Sequence, residues 1–168
     1  MKFLALMVLF SSAIQAQTLN ERVMKKINEY RTSFGISPLV YEPKAKKANE
    51  QMLNYMIETS TMPMDHSQRI PTSYPQTFET FADRIYYLYE YNYNYIGENL
   101  CTFGDLSTDE ERANMIMTLW KNSIPHNELL LSLRYTGFYV DTRVSNTLII
   151  NGKTLGGPTR YVVLTTYN

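Results

Sequence analysis

Two helix-start signatures limit what this chain can fold into. Thr18 with Glu21, and Thr108 with Glu111, each place a hydroxyl three residues before a carboxylate, the reciprocal arrangement that satisfies the free amides opening a helix. After the first, Leu19, Val23, Ile27, Tyr30 and Phe34 recur at spacings of three and four and Gly35 closes the run, which predicts one amphipathic helix with a glycine cap. After the second, Ala113, Ile116, Met117 and Trp120 form an apolar face that ends at Ser123-Ile124-Pro125, with His126 in the loop beyond. Between them, Pro43 can open another helix with Ala45, Ala48, Met52 and Tyr55 or Met56 inward. Lys44, Lys46 and Lys47 form its solvated side. Residues 61 to 76 carry Pro63, Pro71 and Pro75 and read as loop around His66. A stretch with Phe78, Phe81, Ala82, Ile85 and Leu88 is again helical.

Period two takes over in the tyrosine run, where Tyr89, Tyr91, Tyr93 and Tyr95 alternate with Glu90, Asn92 and Asn94, as extended chain requires. That row either packs or offers an aromatic platform to a sugar or apolar ligand. After a short apolar piece from Leu129 to Leu133, the chain is strand-like over Tyr135 to Val144, Leu148 to Ile150 and Tyr161 to Tyr167. Asn151-Gly152 and Gly156-Gly157-Pro158 mark turns between these segments. Helices first and strands mostly last, without parallel-sheet alternation, predict an α+β domain.

Residues 1 to 16 stand apart. Lys2, an apolar run to Phe10 and a small-residue ending at Ala16 read as an export signal cleaved before Gln17, too short to span a membrane. The remaining 17 to 168 fit one domain, extracellular or periplasmic, with no transmembrane segment after cleavage. The chain has one cysteine, Cys101, so no intramolecular disulfide framework supports the fold and the core carries its stability. Sixteen cations balance sixteen anions, which argues against nucleic acid as a partner. There is no phosphate-gripping glycine loop, Cys-x-x-Cys or His-Glu-x-x-His, so no nucleotide cofactor is expected. A Gly-x-Ser-x-Gly elbow is also missing.

The chemistry-bearing residues gather about Gly97-Glu98-Asn99, at the start of the apolar run Leu100 to Phe103. The chain's two histidines, His66 and His126, flank it in sequence. If the three side chains share a cleft, they can bind zinc or another divalent metal. They can instead form a structural hydrogen-bond network, or, as the lesser alternative, perform acid-base hydrolysis with Glu98 as base and a histidine as acid. Ser123, Tyr95 and Asn99 are expected to line the same cleft.

Asn28-Glu29-Tyr30-Arg31 with Gly35 and Pro38-Leu39, Val40-Tyr41-Glu42-Pro43, His66, Gly97-Glu98-Asn99, Trp120 to His126, Gly137 and the closing strand from Tyr161 to Tyr167 occur in an order that resembles the CAP superfamily, particularly its bacterial secreted members. This group takes in cysteine-rich secretory proteins, venom antigens and plant pathogenesis-related proteins. The resemblance implies a three-layer α-β-α sandwich with a central antiparallel sheet. It also implies a surface cleft in which His66, Glu98 and His126 match the family's cleft residues. The chain departs from the family at Ser123, where animal members carry a second glutamate, at Leu129, where asparagine is frequent, and at Thr165, where glutamine is. Two functions follow as expectations: an exported binding module for a small apolar, lipid or glycan-like ligand, with or without a divalent metal, or a peptidase or cell-envelope hydrolase.

Overall fold

The computed structural model describes residues 17–74, 76–88, 93–150 and 153–168. The export segment, the Asn151-Gly152 turn and Tyr89 and Tyr91 lie outside the described residues. The elements run α1 (Leu19–Ser33), β1 (Val40–Tyr41), a 3-10 turn (Pro43–Ala45), α2 (Lys46–Thr59), α3 (Phe81–Leu88), β2 (Ile96–Gly104), α4 (Asp109–Asn122), α5 (Ile124–Leu131), β3 (Gly137–Ile150) and β4 (Lys153–Tyr167). Both capping boxes form as expected, Thr18 with Glu21 and Thr108 with Glu111.

The strands lie in the order β1-β3-β4-β2. β4 pairs antiparallel with both β3 and β2. β1 departs from the antiparallel expectation, joining β3 in parallel through two residue pairs. Side-chain alternation splits the core across the sheet. Val162 and Leu164 of β4, with Cys101, Val140 and Phe138, pack against α1, α4 and α5 through Val23, Ile27, Ile116, Trp120 and Leu130. Tyr161 and Val163, with Leu100, meet Met52, Leu53 and Met56 of α2, while Ile85 of α3 joins Ala48, Tyr139 and Tyr167. The result is the expected three-layer α-β-α sandwich, and Cys101 behaves as a buried small hydrophobe whose thiol pKa is pushed up by burial.

Buried polar side chains fasten the layers. The Asn28 amide donates to Leu39 O at 2.9 Å and accepts from Leu39 N at 2.8 Å, fixing the chain just before β1. Arg31, buried in α1, donates to Ser37 O (2.9 Å), Leu130 O (2.7 Å) and Ser132 O (2.9 Å), tying α1 to the end of α5. Asn49 of α2 donates to Tyr139 O (3.1 Å) and Val163 O (3.2 Å) and accepts from Thr165 Oγ1 at 2.6 Å. At the far end of β2, Asp105 accepts from Arg112 of α4 and Arg160 of β4, and these guanidinium bonds lower its pKa from 3.8 to about 2. A carboxyl depressed in this way adds stability above its unfolded pKa and loses it as pH falls through the folded value. Asp105→Asn is therefore expected to cost about 1–3 kcal/mol at neutral pH, with the difference from wild type shrinking as pH falls from about 4 to about 2. Urea titrations at pH 7 and pH 2.5 check this; an equal gap at both values would remove the charge pairing as its cause.

Four local expectations are corrected. Ser123-Ile124-Pro125 ends α4 but also starts α5, because proline lacks only an amide that a first helical turn leaves free, so His126 and Leu129 are helical. Gly156-Gly157-Pro158 is not a turn between strands. It lies within β4, where the register shifts between Ser145 and Thr147 and Gly157 takes a φ of 119°, a bulge geometry open to glycine. Phe78 precedes α3 and forms an isolated antiparallel bridge with Gln68, while Thr80 and Asp83 bond each other's backbone amides at the helix start. Phe34, expected on the inward face of α1, is exposed.

Candidate functional site

β2 is the outer strand on one side of the sheet, bonded only to β4, and the site straddles its beginning. Gly97 is there for close approach. A Cβ on it would stand 2.6 Å from Leu129 Cδ1 of α5, 2.7 Å from the Tyr135 hydroxyl and 2.9 Å from Thr166 Oγ1, so only glycine lets α5 settle against the strand. The next two residues point to opposite faces, and each holds one histidine.

On the α2/α3 face, the buried Glu98 places Oε1 3.0 Å from His66 Nδ1 and Oε2 against Arg84 Nη2. Arg84 of α3 is fully buried and also donates to His66 O at 3.5 Å. A carboxylate set against a guanidinium acts as an acceptor, so His66 Nδ1 points its proton at Oε1 and Nε2 is left for other contacts. The turn around His66 is fixed independently. Asp65 Oδ1 accepts from Ser67 N at 3.2 Å and from Ser67 Oγ at 2.8 Å, and its carboxyl is lowered to about 2, chiefly by the Ser67 bonds and then by Arg69. This turn puts His66 at a φ of 60°, a left-handed conformation that a side-chain-bearing residue adopts only when its surroundings hold it there.

On the other face, Asn99 Nδ2 donates to the backbone oxygen of His126 at 3.1 Å, fixing the first turn of α5. The His126 imidazole is part-buried, and its pKa is lowered from 6.5, first by burial and then by the charge of His66. His66 is thus held on one face of β2 and the His126 backbone on the other, and the downward shift favours the neutral His126 imidazole. Two residues before each histidine stands a strongly exposed apolar side chain, Met64 at 82% and Ile124 at 76%.

Of the other expected cleft residues, Asn99 is buried and acts on the α5 backbone. Ser123 links α4 to α5 in extended conformation. Tyr95 is half exposed, with the Arg134 guanidinium 5.2 Å from its ring centroid. Tyr93 packs on Tyr167, the ring centroids 5.0 Å apart. Sequence reasoning missed Arg84. Its signal was position: Phe81, Arg84, Ile85 and Leu88 fall at i, i+3, i+4 and i+7, the spacing of a buried helix face, and a cation there needs a buried anion.

A divalent metal does not fit this arrangement. Both oxygens of Glu98 are engaged and its charge is already neutralised by Arg84. Among the described residues, no group of three histidine, cysteine or acidic side chains converges as a metal-holding set. For the same reason Glu98 is poorly placed as a general base, since both of its oxygens are already engaged by Arg84 and His66.

No protein-family model matches the sequence, nor does any curated protein. Solved structures do match. An outer surface protein of Borrelia burgdorferi is similar over 86% of this chain and 88% of its own, with 20% identity and a TM-score of 0.59. An extracellular protein containing an SCP domain from Bacillus anthracis is similar over 89% of this chain, with 14% identity and a TM-score of 0.60. The fold is the CAP, or SCP-like, fold. A cysteine-rich secretory protein of Staphylococcus aureus agrees, with 14% identity, 89% of this chain covered and a TM-score of 0.54. The match takes in only 40% and 38% of the Bacillus and Staphylococcus chains. Within the fold, the Gly-Glu-Asn tripeptide acquires a physical meaning: close approach, then one histidine held on each side of an edge strand.

Proposed function

We propose that this chain is an exported CAP-fold binding module whose cleft at the start of β2 takes a small ligand with an apolar body and a polar head, lipid-like or glycan-like. The observation that carries the reading is the double engagement of Glu98 by Arg84 and His66. That engagement makes the carboxylate a positioner of imidazole rather than a reacting group. The free Nε2 of His66 and the neutral His126 then serve as hydrogen-bonding partners for a polar head, and Met64 and Ile124 as apolar rims. Export is supported by the pattern of residues 1 to 16 and by the surface and secretory descriptions of the structural neighbours. No helix among the described residues is long and apolar enough to cross a membrane.

The test is titration of the protein with dansyl-undecanoate and, separately, with tri-N-acetylchitotriose. One of them is expected to bind saturably, and the His66→Ala and His126→Ala variants to weaken it about tenfold each, the loss of one buried hydrogen bond of roughly 1.4 kcal/mol. Because the His126 pKa is lowered in the folded chain, acid protonates it only below 6.5, so affinity that depends on neutral imidazole is retained at pH 7.5 and lost on acidification. Binding by neither probe, or binding indifferent to both variants, would overturn the reading. Turnover of a peptide or envelope substrate that Glu98→Gln abolishes in a folded protein would establish the hydrolase instead. Calorimetric zinc binding at one equivalent, lost in the double histidine variant, would restore the metal.

A further inference from the structure

A cavity lies at the opposite edge of the sheet from Glu98 and Asn99. β1 stops after Tyr41, leaving β3 without a strand neighbour on that side from Tyr139 onward among the described residues. The N-terminal turns of α1 cover the gap incompletely. The space of about 350 Å³ left there is lined by Thr18, Asn20, Met24, Tyr41, Tyr139 and Val140, with Glu21 at its rim. This is the size of a small-ligand site, and nothing in the histidine cleft reaches it.

Its chemistry is aromatic and acidic. Tyr41 and Tyr139 stack with ring centroids 5.6 Å apart and planes inclined by 27°, and Tyr41 is 51% exposed. Asn20, which lines the cavity, donates its amide to Asp141 Oδ1 at 3.1 Å. The charged groups that raise the Tyr139 hydroxyl to about 12, after burial, are Asp141, the Tyr41 phenol and Glu50, all negative when ionised. Of the cations nearby, Arg143 donates to Asn54 on α2 while its charge also acts on Asp141, Lys46 lies 3.8 Å from Glu50, and the positive end of α1 is offset by Glu21 in the capping box. Two negative π-faces beside partly buried carboxylates favour a soft positive ligand.

We infer that the cavity between α1, β1 and β3 binds a small organic cation of the quaternary-ammonium or amine class, its charge over the Tyr41–Tyr139 pair and facing Asp141. The site is independent of the histidine cleft. Choline and its neutral isostere 3,3-dimethylbutanol are the probes, titrated into the isotopically labelled protein and followed by NMR. Choline is expected to saturate, moving resonances of Tyr41, Tyr139 and Met24 and leaving His66 and His126 in place, and to bind about five- to thirtyfold more tightly than the isostere. Tyr41→Ala, at an exposed ring, removes the binding, and Met24→Trp, which fills the cavity, does the same if the protein stays folded by circular dichroism. Equal affinity for both probes, shifts confined to the histidine cleft, binding that survives both variants, or no saturable shift at millimolar choline would each overturn the inference.

Discussion

Arg84→Met is expected to lower the stability of this domain by about 3–5 kcal/mol, because it leaves the Glu98 carboxylate buried without its cation. Both side chains are fully buried, so water cannot replace the lost partner. The double variant Arg84→Met/Glu98→Gln should recover much of the loss, since a neutral amide in the same place no longer carries an uncompensated charge. Denaturant midpoints of the wild type, the two single variants and the double variant form the cycle that measures the coupling. A single-variant cost below about 1 kcal/mol would mean that the pair behaves as a solvated one. The pair therefore has two duties: it closes the α3 side of the core, and it gives His66 its tautomer.

Trp120→Ala is expected to cost a similar amount, about 3–5 kcal/mol, through the cavity left when a large core ring is deleted. Trp120 is fully buried on α4 and donates its indole N–H to Leu100 O at 3.4 Å. Trp120→Phe keeps most of the volume and loses the donor, so the two variants separate packing from hydrogen bonding. The chain has one tryptophan, so circular dichroism rather than fluorescence must follow the unfolding. Because Leu100 lies two residues beyond Glu98 on the same face of β2, the alanine variant should also loosen the strand that orders the site. An undiminished His66 contact in the alanine variant, read from its imidazole NMR signals, would separate site order from core volume.

The helices and their inward faces were legible because periodicity reports burial directly. Val23, Ile27, Ala48, Met52, Ile116 and Trp120 all occupy the core positions that their spacing implies. Gly97-Glu98-Asn99 and the two histidines were legible through the family resemblance, and in the structure Glu98 bonds the His66 ring while Asn99 bonds the His126 backbone. What sequence could not supply were facts settled by distant partners. Pro125 reads as a helix stop when considered alone, yet the same residue is well suited to the first turn of α5. Gly156-Gly157-Pro158 reads as a reversal, but its pairing with β3 makes it a bulge within a long strand. Arg84 falls at an inward spacing on α3, but its role appears only when Glu98, fourteen residues away in sequence, is seen to occupy the same buried space. Asn28 and Arg31, quoted as a family opening, turn out to be backbone clamps.

Glu98 and Asn99 are neighbours that serve opposite faces of one strand. A slip of β2 by a single residue against β4 would turn each side chain to the other face, presenting an amide to Arg84 and a carboxylate to the first turn of α5. Neither exchange preserves a histidine. Misaligned chains would thus carry no half-formed cleft with intermediate affinity, and the site is assembled in full or not at all. In a preparation containing misfolded protein, the fraction of molecules competent to bind would report strand alignment, while the affinity of those that bind would stay the same.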